Sequence, residues 1–319
     1  MKNNFWLGLK KPILALAPMA GITDSSFRII CRTYGADVVY SEMASASALF
    51  FNPEKTLKLL SFSSEESPYV VQLFGNNPEH FAKAAEIVSQ KIRPQGIDIN
   101  FGCPARKVFS IKSGCSLMEN KKNARKILEA VLKNTSLPVS IKIRTGIKKK
   151  NAVEFVQYLS DLPFRTIMVH GRTYQEKFSG PADFQIAEEL KKNFPDKIVL
   201  GNGGILTPQY AREVLEKYPL LDGLGIARGT WGKPFIFRQI KSLLAKDKYP
   251  EIDFEEIKKI IFWHAKLIQK NKGSQGLLEM RKHLAWYIKR FPGASNLRKK
   301  LIQAKNLKEI KKNLDSYVG

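Results

Sequence analysis

A chain of 319 residues, of which 44% are hydrophobic and 26% charged, can bury a large core, and this composition excludes wholesale disorder. Lysine and arginine number 53 against 29 aspartates and glutamates, which gives a formal net charge of +24. A charge of this size predicts a polyanionic partner; the alternative is a lysine-rich composition that only decorates the surface.

Three cysteines cannot all pair, and no cysteine and histidine spacing fits a zinc site, so we expect neither a disulfide framework nor a metal. The apolar run near the N-terminus, ILALA, is shorter than a signal peptide requires, and no run approaches the roughly 18 apolar residues of a membrane span. The sequence therefore predicts an unprocessed, soluble cytoplasmic protein without a membrane segment, and we expect a monomer.

Eight short apolar runs rich in β-branched residues follow one another, each ending in glycine, proline or a polar cluster. They span residues 13–18, 37–41, 69–75, 96–102, 138–144, 165–171, 197–203 and 222–228. Helix-period segments lie between them, for example 77–90, 119–134 and 207–218. Eight alternating strand and helix units predict a (β/α)8 TIM barrel, with an open doubly wound sheet as the alternative.

The pattern changes after about residue 240, where strands no longer occur. Segments 254–271, 276–291 and 295–314 are expected to form amphipathic helices, separated by glycine-containing breaks. Residues 241–319 contain 19 lysines and arginines against 8 acidic residues, a net charge of +11. We therefore divide the chain into a barrel domain, 1–243, and a small basic helical domain, 244–319.

In such a barrel, functional side chains lie at the carboxyl ends of the strands. The loops after the seventh and eighth runs, 201–205 and 225–232, are rich in glycine, and the second contains Arg228. Glycines let the backbone approach an anion closely and the arginine adds charge-assisted hydrogen bonds, which together predict a phosphate site. The alternative is that these glycines only make tight turns.

Lys142 lies inside an alternating strand, where a cation directed into the barrel mouth needs a hydrogen-bond acceptor. The alternative places it on an outer polar face. Together with Gln72 and His170, Lys142 matches the heteroatom edge of a planar ring that carries a phosphate. Flavin mononucleotide (FMN) meets these requirements, and a lysine beside the ring would stabilise its anionic reduced form.

Cys103 lies beyond the fourth run, directly before Pro104 and close to Arg106 and Lys107. A nucleophilic thiol needs a lowered pKa and a base, whereas a thiol with a pKa of about 8.5 is mostly protonated at neutral pH and can donate a proton. The third interpretation is a structural thiol. A flavin beside a protonated thiol predicts reduction of a carbon–carbon double bond. The other cysteines and histidines are expected to have no role in the chemistry: Cys31, Cys115, His80, His264 and His283.

Seven segments resemble, in order and spacing, the signatures of the tRNA-dihydrouridine synthases, and an eighth resembles the bacterial B branch of that family. They read LAPMAGITDSSFR, VQLFG, DINFGCPARKV, SIKIRTG, VHGRT, GNGGI, GIARGTWGKP and, for the branch, MRKHLAWYIKRFPGAS. The resemblance covers essentially the whole chain. It implies an FMN enzyme that uses NADPH to saturate the C5=C6 bond of a uridine in tRNA, with hydride passing from the flavin to C6 and a proton passing from Cys103 to C5.

The resemblance also implies roles for individual positions. Flavin contacts fall on Pro18, Met19, Ala20, Gln72, Lys142 and His170. Contacts to the flavin phosphate and its surroundings fall on Asn202, Gly203, Gly204, Ala227, Arg228 and Gly229. Substrate contacts fall on Asn100, Lys107, Arg144 and Arg172, and again on Lys142 and His170. One departure is Cys115, which stands where the family's loop usually has alanine and glycine.

The family's chemistry also implies how the substrate binds. A base within folded tRNA must be flipped out to reach the flavin, and the basic helical domain is expected to hold the tRNA phosphates. No GxGxxG motif is present, so NADPH is expected to dock over the same flavin face before tRNA enters. Two alternatives stay open: an FMN barrel that reduces a small free pyrimidine, as dihydroorotate dehydrogenases do, and a flavin-free RNA-binding protein.

Overall fold

A computed structural model describes residues 4–289 and 291–317. The two predicted domains and the branch signature also include residues 1–3, 290 and 318–319, which lie outside the described residues. Within these described residues there are nine strands: β1 (Ile13–Leu16), β2 (Val38–Tyr40), β3 (Ala44–Ser45), β4 (Tyr69–Phe74), β5 (Gly96–Phe101), β6 (Val139–Arg144), β7 (Thr166–His170), β8 (Ile198–Asn202) and β9 (Gly223–Ile226).

Eight of these strands form a closed parallel barrel. Neighbours pair in the order β1, β2, β4, β5, β6, β7, β8 and β9, and β9 returns to β1. Ile13 pairs with Gly223 at this closure, where any side chain at position 223 would overlap the backbone of Ile13. All eight predicted strands and the TIM barrel are confirmed, and the closed ring excludes an open sheet. The two-residue β3, which extends the edge of β4, is too short to show a period in sequence.

Ten helices accompany the barrel in the described part of the chain. They are α1 (Ser25–Thr33), α2 (Ala46–Phe51), α3 (Glu54–Leu60), α4 (Pro78–Ile87), α5 (Arg106–Ser110), α6 (Lys121–Lys133), α7 (Ala152–Leu159), α8 (Gln185–Asn193), α9 (Pro208–Lys217) and α10 (Ile236–Lys246). Side-chain caps begin two of these helices: the Asn77 side chain accepts from the backbone N–H of Glu79, and that of Thr207 accepts from the backbone N–H of Tyr210.

In the part of the C-terminal region that the structure describes, α10 is followed by α11 (Phe254–Tyr287), α12 (Ala294–Gln303) and α13 (Leu307–Asp315). The break predicted at 271–276 is confirmed at Gly273, whose non-helical φ of 64° and ψ of −152° kink α11 and divide it into two helical halves. The single helix predicted over 295–314 is wrong. It is two helices, because the side chain of Asn306 accepts from the backbone N–H of Glu309 and begins α13.

The helical region packs firmly onto the barrel. Its apolar core includes Ile30 from α1 and Phe235, which precedes α10. The ring of Phe27, also on α1, contacts the buried rings of His264 and His283. Because the two parts share one packed cluster, the division at residue 243 stays a prediction. Within the described residues, no helix is long and apolar enough to cross a membrane.

Candidate active site

The carboxyl ends of the barrel strands surround a cavity with a volume of about 550 Å³. Most residues that the sequence assigned to a site line this cavity: Pro18, Met19, Ala20, Gln72, Asn100, Cys103, Lys142, Arg144, His170, Asn202, Gly203, Gly204, Ala227, Arg228 and Gly229. Two predicted substrate contacts do not line it. Lys107 is exposed on α5, and Arg172 is buried behind the cavity wall.

A chain of hydrogen bonds runs beneath the cavity across three neighbouring strands. On β5, Asp98 accepts from the hydroxyl of Ser140 at 2.6 Å and from the amide of Gln72 at 2.7 Å. The Gln72 oxygen in turn accepts from the Asn100 side-chain amide at 3.0 Å. Burial raises the pKa of Asp98 to about 6, so this carboxyl is mostly ionised at neutral pH and can accept from both donors.

Cys103 is held at the end of this chain. The Asn100 side-chain oxygen accepts from the backbone N–H of Gly102 at 3.0 Å and of Cys103 at 2.8 Å. Burial raises the pKa of the Cys103 thiol, and the nearby cations of Lys142 and Arg144 oppose this only in part. A thiol in this state keeps its proton at neutral pH, which suits a proton donor and not a nucleophile.

Lys142 extends from β6 into the cavity, and its Nζ donates to the side-chain oxygen of Asn202 at 3.2 Å. Burial lowers its pKa to about 8, and repulsion from Arg144 acts in the same direction. The ammonium is therefore charged at neutral pH but close to its titration range. Asn202 is itself fixed, because its amide donates to the carbonyl of Gly225 on β9 at 2.6 Å.

Arg144 connects two loops at the cavity rim. Its Nε donates to the carbonyl of Gly102 at 3.0 Å, and its Nη1 donates to the carbonyls of Thr173 at 2.8 Å and Lys177 at 2.9 Å. The guanidinium therefore binds backbone on both the cysteine loop and the loop after β7. Phe178 in the latter loop lies against two guanidinium groups, with its ring centre 5.6 Å from that of Arg144 and 4.6 Å from that of Arg228.

The opposite end of the cavity is formed by the loops after β8 and β9. Gly203 has a φ of 122° and Gly204 a φ of 69°, both in the region that favours glycine. A Cβ on Gly203 would lie 2.7 Å from Cδ2 of His170, so a side chain there would displace the imidazole. These loops place flexible backbone beside the guanidinium of Arg228, as the predicted phosphate site requires.

The residues expected to have no chemistry lie outside the cavity wall: Cys31, Cys115, His80, His264 and His283. Cys115 is nevertheless adjacent to the predicted proton donor, because its backbone N–H donates to the carbonyl of Cys103 at 3.3 Å. Its side chain is buried, and burial raises the pKa of its thiol to about 12. This thiol therefore packs the turn that supports Cys103.

Several cavity residues could not be recognised from the sequence. Met43, Phe178 and Trp231 line the cavity from loops whose path has no periodic signal. Asp98 lies below the cavity, and one signal for it existed: an acid two residues before Asn100 in an otherwise apolar strand faces the same side as Asn100. Within the described residues, no cluster of three or more histidine, cysteine or acidic side chains is arranged to hold a metal ion.

A family model described as dihydrouridine synthase (Dus) matches residues 15–318. The chain belongs to the dihydrouridine synthase family. A protein of Shewanella oneidensis named tRNA-dihydrouridine synthase B is 37% identical over 282 residues, which is 86% of each chain. One of the same name from Pseudomonas aeruginosa is 35% identical over 291 residues, 89% of this chain and 86% of that one. The family resemblance predicted from the motifs is thus confirmed.

The fold of this dihydrouridine synthase also matches solved barrel structures. The old yellow enzyme of Trypanosoma cruzi superimposes with a TM-score of 0.52 at 9% identity, over 76% of this chain and 91% of that one. At this identity the match shows the TIM-barrel architecture alone.

Dihydrouridine synthases are FMN-dependent oxidoreductases, and the cavity of this one fits that cofactor. Its volume of about 550 Å³ lies within the range of roughly 300–1,000 Å³ for small-molecule sites. The glycine backbone and Arg228 at one end match a phosphate, and Lys142 and Gln72 match the polar edge of a ring. Met19 and Ala17 supply apolar surface for a flat aromatic system.

Proposed function

We propose that this dihydrouridine synthase reduces the C5=C6 bond of uridines in tRNA, with NADPH as the electron donor and Cys103 as the proton donor. The observation that carries the proposal is the state of Cys103. Its thiol lies at the wall of a cavity that fits FMN, its pKa is raised by burial, and its backbone is fixed by Asn100. An acid held in its protonated form beside a flavin site supports addition of hydrogen across a double bond.

The chain's own residues divide the work of binding the cofactor. Arg228 and the backbone at Gly203 and Gly204 would hold the phosphate of FMN, and Lys142 and Gln72 would hold the polar edge of its ring. When bound, FMN takes two electrons from NADPH and supplies hydride. Lys142 remains cationic at neutral pH and would stabilise negative charge on a reduced ring bound there.

The proton step belongs to Cys103. As C6 of the uracil receives hydride, the S–H bond of Cys103 breaks and its proton forms a new C–H bond at C5. The π bond between C5 and C6 is thereby replaced by two C–H bonds. The sulfur is left as a thiolate, and because its surroundings raise its pKa it recovers a proton from solvent before the next turnover.

The helical region is suited to hold the tRNA while the target base is flipped out. Its net charge of +11 over residues 241–319 attracts phosphates. Lys282 on α11 brings this charge to the cavity rim, because its Nζ would lie only 3.6 Å from a Cβ placed on Gly21. Gly21 follows directly after the cavity residues Met19 and Ala20. We infer that the loop after β1 and α11 together receive the tRNA backbone.

A Cys103→Ala variant tests the proposal. We expect this variant to retain FMN and its flavin absorbance to be bleached by NADPH. Its rate of dihydrouridine formation in unmodified tRNA should fall by roughly 10²–10⁴-fold, the usual contribution of a general acid. Cys115→Ala is the matched control, since it removes the neighbouring thiol and is expected to remain active. An unimpaired rate of dihydrouridine formation in Cys103→Ala at neutral pH would contradict the role of Cys103 as proton donor. A colourless native protein would contradict the binding of FMN.

The proposal includes a monomer that acts in the cytoplasm. Light scattering during size-exclusion chromatography would measure the mass in solution. A mass near twice that of the chain would contradict the monomer.

A further inference from the structure

Arg172 was predicted to contact substrate, yet the residue is only 4% exposed and its side-chain donors are occupied within the protein. Nε donates to the carbonyls of Ser179 and Gly180 at 3.1 Å each, and Nη2 donates to Gly180 at 2.7 Å. The remaining contact joins Nη1 to Nε2 of His170 at 3.1 Å. Arg172 therefore links the imidazole of a cavity residue to the loop after β7.

This contact determines which nitrogen of His170 carries the proton. A guanidinium has only donors and keeps its proton in proteins, so Nε2 must present its lone pair to Arg172. A neutral imidazole whose Nε2 accepts carries its hydrogen on Nδ1. Within residues 4–289 and 291–317, no protein group bonds to Nδ1, so its N–H remains available to an occupant of the cavity.

The cationic form of His170 is excluded by its surroundings. The ring is buried and faces four positive groups: Lys142, Arg144, Arg172 and Arg228. Burial first, and these charges next, lower the pKa of His170 far below its ordinary range. A proton on Nε2 would also oppose the Arg172 donor directly. The imidazole is therefore neutral at neutral pH.

The position of the ring is fixed as well as its protonation. The Cβ that Gly203 lacks would lie 2.7 Å from Cδ2 and 3.0 Å from Nε2 of His170, so backbone covers that edge. The ring of Phe178 lies 6.1 Å away by centroid. The imidazole therefore lies between the backbone at Gly203 and the ring of Phe178, with its Nε2 edge toward Arg172.

We propose that Arg172 is a positioning residue that fixes His170 as the neutral Nδ1–H tautomer and thereby gives the cavity one N–H donor of defined location. The role toward a flavin rests on the proposed function: the donor would hydrogen-bond to an acceptor atom of the bound ring. A histidine fixed in this form cannot protonate uracil at neutral pH. The substrate's proton must then come from another group, in agreement with the role of Cys103.

The tautomer can be measured by NMR on the full-length protein with ¹⁵N-labelled histidine, both with FMN and after its removal. The chain contains only 4 histidines, and the His170 signals are identified by their loss in His170→Gln. Long-range ¹H–¹⁵N correlations distinguish a protonated ring nitrogen from an accepting one. In the unsubstituted protein we expect a protonated Nδ1 and an accepting Nε2, unchanged between pH 6 and pH 9.

Substitutions separate the contact to His170 from the anchoring of the loop. Arg172→Met removes the donor, and we expect the proton of His170 to shift toward Nε2. Arg172→Lys restores a donor and is expected to return it toward Nδ1. Glu176→Ala is the control, because Glu176 anchors the same loop by accepting from the N–H of Thr173 at 2.6 Å without touching His170; its spectrum should match that of the unsubstituted protein.

Two results would overturn the assignment. One is an unsubstituted His170 protonated on Nε2, or on both nitrogens, at pH 7. The other is an Arg172→Met spectrum identical to that of the unsubstituted protein. The measurement needs neither tRNA nor turnover, so its failure is distinct from failure of the proposed function, which the Cys103→Ala assay reports.

Discussion

The indole rings of Trp231 and Trp286 are stacked, with centroids 4.3 Å apart and planes inclined by only 4°. Trp231 follows β9 and lines the cavity, whereas Trp286 lies in the last turn of α11. Gly232, which follows Trp231 in the chain, lies so close to α11 that any side chain at position 232 would overlap the backbone of Trp286. The cavity wall and the helical region therefore meet in one tight contact.

A double-mutant cycle should detect this contact. Trp231→Ala and Trp286→Ala are each expected to lower the free energy of unfolding, and the double variant should lose less than the sum, by about 0.5–1.5 kcal/mol for an aromatic pair. Urea unfolding of the four proteins measures the coupling. As a control, Trp263 lies in the helical core outside the stack, so Trp231→Ala and Trp263→Ala should be additive. Additivity in the first cycle would mean that the stacked geometry stabilises neither side.

Asn100→Ala should impair catalysis through the placement of Cys103. The substitution leaves the backbone N–H groups of Gly102 and Cys103 without their acceptor, and each buried unpaired group costs about 1–3 kcal/mol. We expect kcat for dihydrouridine formation to fall roughly 10–100-fold while KM for tRNA changes little. Asn76→Ala, which removes a side-chain contact to the carbonyl of Ile111 at the exposed end of the same loop, is the control. A change in KM alone would instead make Asn100 a substrate contact.

Lys282→Gln should weaken tRNA binding by removing a cation from the cavity rim. For one lost phosphate contact, the magnitude of the slope of log affinity against log salt concentration should fall by about 1. Filter binding or fluorescence anisotropy across a salt series gives that slope. Lys10→Gln makes the same charge change directly before β1, at the amino ends of the strands, and should leave the slope unchanged. Equal effects of the two substitutions would show that only net charge matters.

The two half-reactions should respond differently to pH. Lys142 is charged below its pKa, which burial lowers to about 8, so reduction of the flavin by NADPH should slow as the pH rises through about 8. The Cys103 thiol is protonated below its pKa, which burial raises, so oxidation of the reduced enzyme by tRNA should stay level over that interval and decline only at higher pH. Stopped-flow measurements from pH 6 to pH 10 follow both steps.

Lys142→Arg is the matched variant for the first step, because arginine keeps its charge throughout this range. Its rate of flavin reduction should show no decline near pH 8. A decline at the same pH in Lys142→Arg would assign the titration to another group.

The sequence was sufficient to predict the barrel because each strand is a short apolar run, helices alternate with these runs, and eight such units match a closed parallel barrel. The sequence also predicted that the polar side chains after these runs lie close together, because the strands of a parallel barrel all end at one face. What it could not supply is the direction of a long side chain. Arg144 and Arg172 follow neighbouring strands with similar sequence signals, yet one guanidinium lines the cavity and the other lies behind it.

Helix boundaries in the C-terminal region depend on local side-chain and backbone conformations that compete with continuation of a helix, and hydrophobic periodicity does not report these. Gly273 was recognisable as a break, and its non-helical backbone kinks α11 there, while both halves pack into the same core. Asn306 interrupts the amphipathic pattern over residues 295–314, because its side chain accepts from the backbone N–H of Glu309 and thereby begins a new helix.

The hydrogen-bond chain from Ser140 through Asp98 and Gln72 to Asn100 links the three adjacent strands β4, β5 and β6 into one structural unit. Anyone transplanting the cysteine loop onto a different scaffold would find the sulfur misplaced unless β4, β5 and β6 travelled with it. We therefore expect related enzymes to vary in the rim loops and in the C-terminal helical region, and to keep β4, β5 and β6 together.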